Sequence, residues 1–162
     1  MRVACLTLLV FLGLSTEASA ASLTSHCRGG EIRQALASFV SAYDRGDYER
    51  LDSLFAEEPD FEWYSTNGPG QRLGGKAKQR STLIPYFEAR HRVHDRLALR
   101  SFQFNGATRR YGNFQFAMWR ATSGFNHGNR FPVRGKGAAI CKAGSARFIV
   151  LSVGVPPRRD SG

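Results

Sequence analysis

Several things are scarce in this chain, and each scarcity excludes a class of function. After its first fourteen residues no apolar run approaches the roughly 20 residues that span a bilayer, so a soluble mature chain is expected. Acidic residues are few, 13 against 23 Lys and Arg, which leaves a formal charge of +10. No Ser or Cys nucleophile motif occurs, and there is no internal repeat or sign of a second domain. Histidine appears only four times, with no third ligand at metal spacing beside His91 and His94. No metal and no cofactor is therefore expected. Cysteine is limited to Cys5, Cys27 and Cys141.

The N-terminus has a basic Arg2, an apolar stretch from Val3 to Leu14, and small residues at Ala18 and Ala20. That is the pattern of a secretory signal cut after Ala20, which places the mature protein outside the cell. The organisation expected is a signal over 1–20, an N-terminal segment over 21–30, one domain over 31–155 and a polar tail over 156–162. Cleavage removes Cys5 and leaves Cys27 and Cys141 as a pair. Export makes a bridge between them chemically reasonable.

Patterning inside the domain changes once. Ile32, Leu36, Phe39, Val40 and Tyr43 recur at helical spacing, and Gly46 supplies a stop. Asp47 can cap a shorter helix carrying Tyr48, Leu51, Leu54 and Phe55 on one side. Beyond Pro59 the period is two, with Phe61 and Trp63 read as the inward phase of a strand. The segment from Thr66 to Lys78 reads as a loop. Its Gly70, Gly75 and Lys76 have the spacing of a phosphate-binding loop, but Ala77 lacks the hydroxyl that such a loop needs, and no helix opens there. A third helix follows, capped by Ser81 or Thr82. Strands then dominate: Leu97 and Leu99 keep one phase and Phe102 and Phe104 the other, which predicts a bulge at Arg100 and Ser101. Asn105-Gly106 is a turn signal, and Phe114, Phe116 and Met118 mark a long strand with Trp119 on its other face. The last strand is RFIVLSVG.

The order of elements, with the pattern Y-D-R-G-D-Y-x-x-L-x-x-L-F-A from Tyr43 to Ala56, resembles the nuclear transport factor 2-like superfamily, in its SnoaL-like and ketosteroid isomerase-like branches. The resemblance implies an α+β fold in which a cone-shaped, curved antiparallel sheet wraps around three helices and leaves a pocket. It also implies positions for a catalytic donor and base. Phe39 falls at the donor position and Trp63 at the base position, and neither side chain can do that work. No acid stands near Ala138 or Ala139, where that branch would carry a further one.

The leading expectation is thus a secreted SnoaL-like protein that binds a small apolar ligand or a partner in the cone, lined by Phe39, Tyr43, Trp63, Phe87, Phe116 and Met118. The alternative is a lyase or hydrolase of the same fold acting on a small ring compound through His91, His94 or Asp95 with Arg120. A second alternative is a cationic surface that holds an anionic extracellular polymer. A homodimer through the outer sheet face is a further expectation. Nucleic acid is disfavoured, although Arg109 to Tyr111, Arg120, Arg130, Phe131, Arg134 and Lys136 interleave charge with rings. Exposed roles are expected for His127 and for Asp60 and Glu62.

Overall fold

The structure, a computed structural model, describes residues 27–66, 75–108, 111–123, 125–142 and 144–154. The signal, the polar tail, Gly70, Arg109 and Arg110 lie outside the described residues.

Helix α1 runs Gly29–Arg45 and buries Ile32, Leu36, Phe39 and Tyr43. It stops where Gly46 turns left-handed, at φ 70°, a conformation that glycine reaches without a Cβ clash. Asp47 then caps α2 (Tyr48–Ser53) by accepting from the Arg50 N–H. After a strand β1 (Trp63–Thr66) and a strand β2 (Gly75–Ala77), a 3-10 turn at Arg80–Thr82 leads into α3 (Leu83–Arg92). Four long strands complete the chain: β3 (Arg96–Ala107), β4 (Tyr111–Ala121), β5 (Phe131–Lys142) and β6 (Ser145–Val153). They form one sheet in the order β2-β1-β6-β5-β4-β3.

Alternation along the strands decides which face is inside. Gly112, Phe114, Phe116, Met118 and Arg120 of β4 are buried while their neighbours are half-buried or exposed. The same helix α1 packs against β3 and β6, which stand three strands apart. In a flat sheet those two strands would stand about 14 Å apart; here the sheet curls around the helix. Bulges assist the curl, at Leu99/Ser101 as the phase change predicts, at Phe104/Gly106, and between β5 and β6 at Ala138/Ala139. Inside the curl, glycine makes room for rings. A Cβ on Gly135 would stand 2.1 Å from the Phe116 ring, and one on Gly137 2.5 Å from the Phe114 ring.

Phe39 sits at the centre, with its ring 5.6–6.2 Å from those of Tyr43, Phe55, Tyr64, Phe87 and Phe148. Such tilted and edge-on pairs add to the burial energy of each ring. The Cys27–Cys141 disulfide is present and joins the residue just before α1 to β5, with Cα atoms 5.1 Å apart. No described helix is long and apolar enough to cross a membrane.

Five local expectations need correction. The sheet is mixed, because β1 pairs parallel with β6 while every other pairing is antiparallel. That pairing sets Tyr64 beside Leu151 and Trp63 beside Val150. Leu151 points inward, so Tyr64 faces the core and the half-buried Trp63 lies on the outer face. Phe61 is buried, but it precedes the strand, so its phase does not carry to Trp63. Gly75–Ala77 is a strand paired with β1, which removes the phosphate-loop reading from Gly75 and Lys76. Asn105-Gly106 forms a bulge within β3 instead of a turn, and neither Ser81 nor Thr82 caps α3 with its side chain.

Candidate functional site

Two arginines, one carboxylate and several hydroxyls meet inside the cone, delivered by elements distant in the chain. Tyr43 comes from the last turns of α1, Arg90 from the last turn of α3, Asp95 from the residue before β3, and Arg120 from the end of β4. All four are buried, Tyr43, Asp95 and Arg120 completely. Arg120 takes the carboxylate with two hydrogen bonds, Nε to Oδ1 at 2.8 Å and Nη2 to Oδ2 at 2.7 Å. Oδ2 also accepts from Arg90 Nε at 2.7 Å and from the Tyr43 hydroxyl at 2.9 Å. On the other side Arg120 Nη2 reaches Thr66 Oγ1 at 3.4 Å, and Thr66 Oγ1 is hydrogen-bonded to the half-exposed Tyr86 hydroxyl.

The positions follow from local geometry. Arg120 lies two residues beyond Met118 on the inward phase of β4, and Arg90 lies three beyond Phe87 on the buried stripe of α3. Burial of charge at such places is costly unless it is paired and hydrogen-bonded. Here a single carboxylate meets two guanidinium groups, so the centre is cationic. For Arg120 burial opposes the charge, but the hydrogen bonds and the charge of Asp95 outweigh it, and its proton is held more firmly than usual. Burial, reinforced by the Asp95 charge, pushes the Tyr43 hydroxyl well above the ordinary tyrosine range. Burial does the same to Tyr64, with the neighbouring Tyr43, Tyr86 and Asp95 adding to it.

Among the described hydroxyls at this centre, Tyr64 stands apart from the pairing. Its ring lies 4.9 Å from Phe87 and 5.3 Å from Tyr86, and its buried hydroxyl has no hydrogen-bond partner. Buried hydroxyls in folded proteins are nearly always satisfied.

The residues singled out from the sequence separate clearly. Phe39, Tyr43 and Phe87 meet one another beside the polar centre, and Phe116 and Met118 share the inward face of β4. Trp63 is excluded by its register. Asp95 and Arg120 belong to the centre, but His94 does not. It is exposed in a left-handed turn at φ 51°, so it and Asp95 point to opposite sides and form no base-orienter pair. His91 is half-buried and fully engaged. Its Nε2 bonds the Tyr43 carbonyl, which can only accept, so Nδ1 is left to accept from the Tyr48 hydroxyl at 2.7 Å. His127 and Glu62 are exposed, and Asp60 lies 3.8 Å from Lys142. Arg120 and Phe131 are buried, so the interleaved run of charge and rings does not form one surface groove.

Arg90, Tyr64, Thr66 and Tyr86 were not among the sequence candidates. Arg90 and Arg120 had a readable signal, a charged residue in phase with an apolar stripe. Tyr64 and Thr66 had none, because their facing depends on the parallel pairing with β6.

Taken together, the helix order, the curled sheet and the enclosed centre define the nuclear transport factor 2-like fold, also called cystatin-like. No protein-family profile matches the chain, and no curated protein matches its sequence. Solved structures do share the fold. A proposed aromatic-ring hydroxylase from Novosphingobium aromaticivorans is similar at TM-score 0.65 and 12% identity, over 81% of this chain and 92% of that one. A proposed dehydratase of the NTF2-like family from Streptomyces avermitilis gives TM-score 0.61 and 14% identity, over 80% and 96%. A protein of unknown function with a cystatin-like fold from Nostoc punctiforme gives 0.60 and 20%, over 79% and 90%.

Proposed function

We propose that this chain is an exported binding domain whose cone holds a small, mainly apolar ring compound bearing one hydrogen-bonding or anionic group, and that it performs no acid-base chemistry on it. The observation that carries the reading is the buried, unpartnered Tyr64 hydroxyl beside a cationic centre and among aromatic walls. Tyr64 and Phe87 are completely buried, so a flat ligand would enter by displacing the half-exposed Tyr86, take the Tyr64 hydroxyl as its hydrogen-bond partner, and lie in the positive potential of Arg90 and Arg120.

Catalysis is disfavoured by the same geometry. A general base needs an accessible lone pair within reach of the substrate proton. The Asp95 oxygens already accept from Arg120 on one side and from Arg120, Arg90 and Tyr43 on the other. Both ring nitrogens of His91 are engaged as well. The disulfide and the leader pattern support the exported location.

A thermal-shift screen tests the reading with benzoate-, phenol- and cyclohexenone-class compounds, run on the wild type and on Tyr64→Phe. Ring compounds with an acceptor or anionic group should raise the wild-type melting temperature and leave the variant's nearly unmoved. The reading fails if no compound shifts either protein while Tyr64→Phe itself is the more stable, since the hydroxyl would then be only a buried polar burden.

A further inference from the structure

We infer that the outer face of the sheet is a second binding surface, independent of the cone, and that its occupant is a polyuronate-type acidic glycan. From Arg96 to the last described residue, Gly154, the chain contains no Asp or Glu but ten Lys and Arg. Strands β3 to β6 are therefore purely cationic, and the acids lie in the preceding segment, Glu31 to Asp95, with only Glu17 and Asp160 beyond it. These strands have no acid of their own; Arg120 is buried against Asp95, and at one end of the sheet Lys142 lies 3.8 Å from Asp60 and Arg147 3.7 Å from Glu57, which leaves Arg134 and Lys136 as the exposed cations of the central rows.

Register places the outward side chains in rows. Gln103 pairs with Gln115, Gln115 with Lys136, and Lys136 with Ser152, which makes a continuous polar row across four strands. The next row sets Ser101 beside Ala117 and Arg134. Gln103, Gln115, Arg134 and Lys136 are all exposed. Ser101, Gln103, Gln115, Ala117 and Arg134 border an open groove of about 420 Å³. Facing amides and hydroxyls suit the vicinal hydroxyls of a sugar. The Arg134 fork and the Lys136 ammonium suit carboxylates repeated along a chain.

Nucleic acid fits this face less well, because strand binding relies on free aromatic platforms. Of the large rings on this face, Trp119 already carries the Arg100 guanidinium 4.4 Å above its centre, and Tyr111 and Trp63 are half-buried. A second copy fits less well too. Two-fold pairing through this face would set Arg100, Arg134 and Lys136 against their own copies with no acid between them.

The test measures binding of the exported chain to immobilised polygalacturonate, with neutral dextran, a single-stranded oligonucleotide and phosphatidylglycerol vesicles as parallel arms. The double variant Arg134→Ser/Lys136→Ser should weaken polygalacturonate binding at least tenfold. The charge-matched Arg33→Ser/Arg50→Ser, on exposed helical positions, should stay within twofold of wild type. Gln103→Ala/Gln115→Ala should weaken binding without changing its salt dependence. Circular dichroism confirms that each variant folds. The inference is overturned if the helical control loses as much as the face variant, or if no polygalacturonate binding occurs. It is equally overturned if the oligonucleotide or the vesicles bind more tightly through the same residues.

Discussion

Replacing Asp95 with asparagine keeps the volume of the side chain and removes its charge, leaving Arg90 and Arg120 facing each other in the core. Both guanidinium groups bond the same Oδ2, at 2.7 Å each; their mutual repulsion is present in the wild type too, so the loss is the attraction the carboxylate supplies to each, up to about 4 kcal/mol per pair at an effective dielectric near 20 before the carboxylate's own desolvation cost is set against it. Loss of the charged hydrogen bonds overlaps with that figure and does not simply add to it. Removal of one partner from buried ion pairs elsewhere costs about 3–5 kcal/mol, which agrees. Urea unfolding of Asp95→Asn should therefore show a loss in that range with an unchanged dependence on urea concentration. The companion variant Arg90→Met/Asp95→Leu/Arg120→Met replaces the whole group by apolar side chains, and it should recover most of the loss. A loss under about 1 kcal/mol in Asp95→Asn would contradict the placement of this carboxylate between two buried arginines.

Alkaline pH gives a second test. Tyr43 and Tyr64 have raised hydroxyl pKa values in the fold, so their contribution is intact below the ordinary value near 10 and is lost as pH rises toward their folded values. Unfolded tyrosines ionise first, and stability should fall by about 2–3 kcal/mol between pH 9 and 11, with Tyr64→Phe abolishing about half. A flat urea midpoint over that interval would refute the burial of the two hydroxyls. Removal of the bridge by Cys27→Ser/Cys141→Ser should lower stability by about 4–5 kcal/mol, because it closes a loop with a sequence separation of 114. Equal stability of the reduced and oxidised protein in chemical unfolding would contradict that link.

The sequence made the helices legible because their signals are local. Gly46 and Asp47 end one helix and begin the next through contacts a few residues away. The bulge at Leu99/Ser101 was legible as a slip in alternation. What stayed hidden depends on partners distant in the chain. The inward facing of Tyr64 is set by its parallel register with Leu151, and a four-residue strand has too little alternation to announce its own phase. Asp95 and Arg120 were recognisable as candidates, yet only the fold shows that they neutralise each other in part and that Arg90 completes the group. The absence of acids from Arg96 to Gly154 became meaningful once those strands were known to form one sheet.

Titration calorimetry of the best compound from the ring-compound screen, against wild type and Tyr64→Phe, measures the claim about the cone most directly. The account predicts at least tenfold weaker binding to Tyr64→Phe and unchanged binding to Arg134→Ser/Lys136→Ser. Equal affinity for wild type and Tyr64→Phe would contradict it, because the unpartnered hydroxyl would then contribute nothing to recognition.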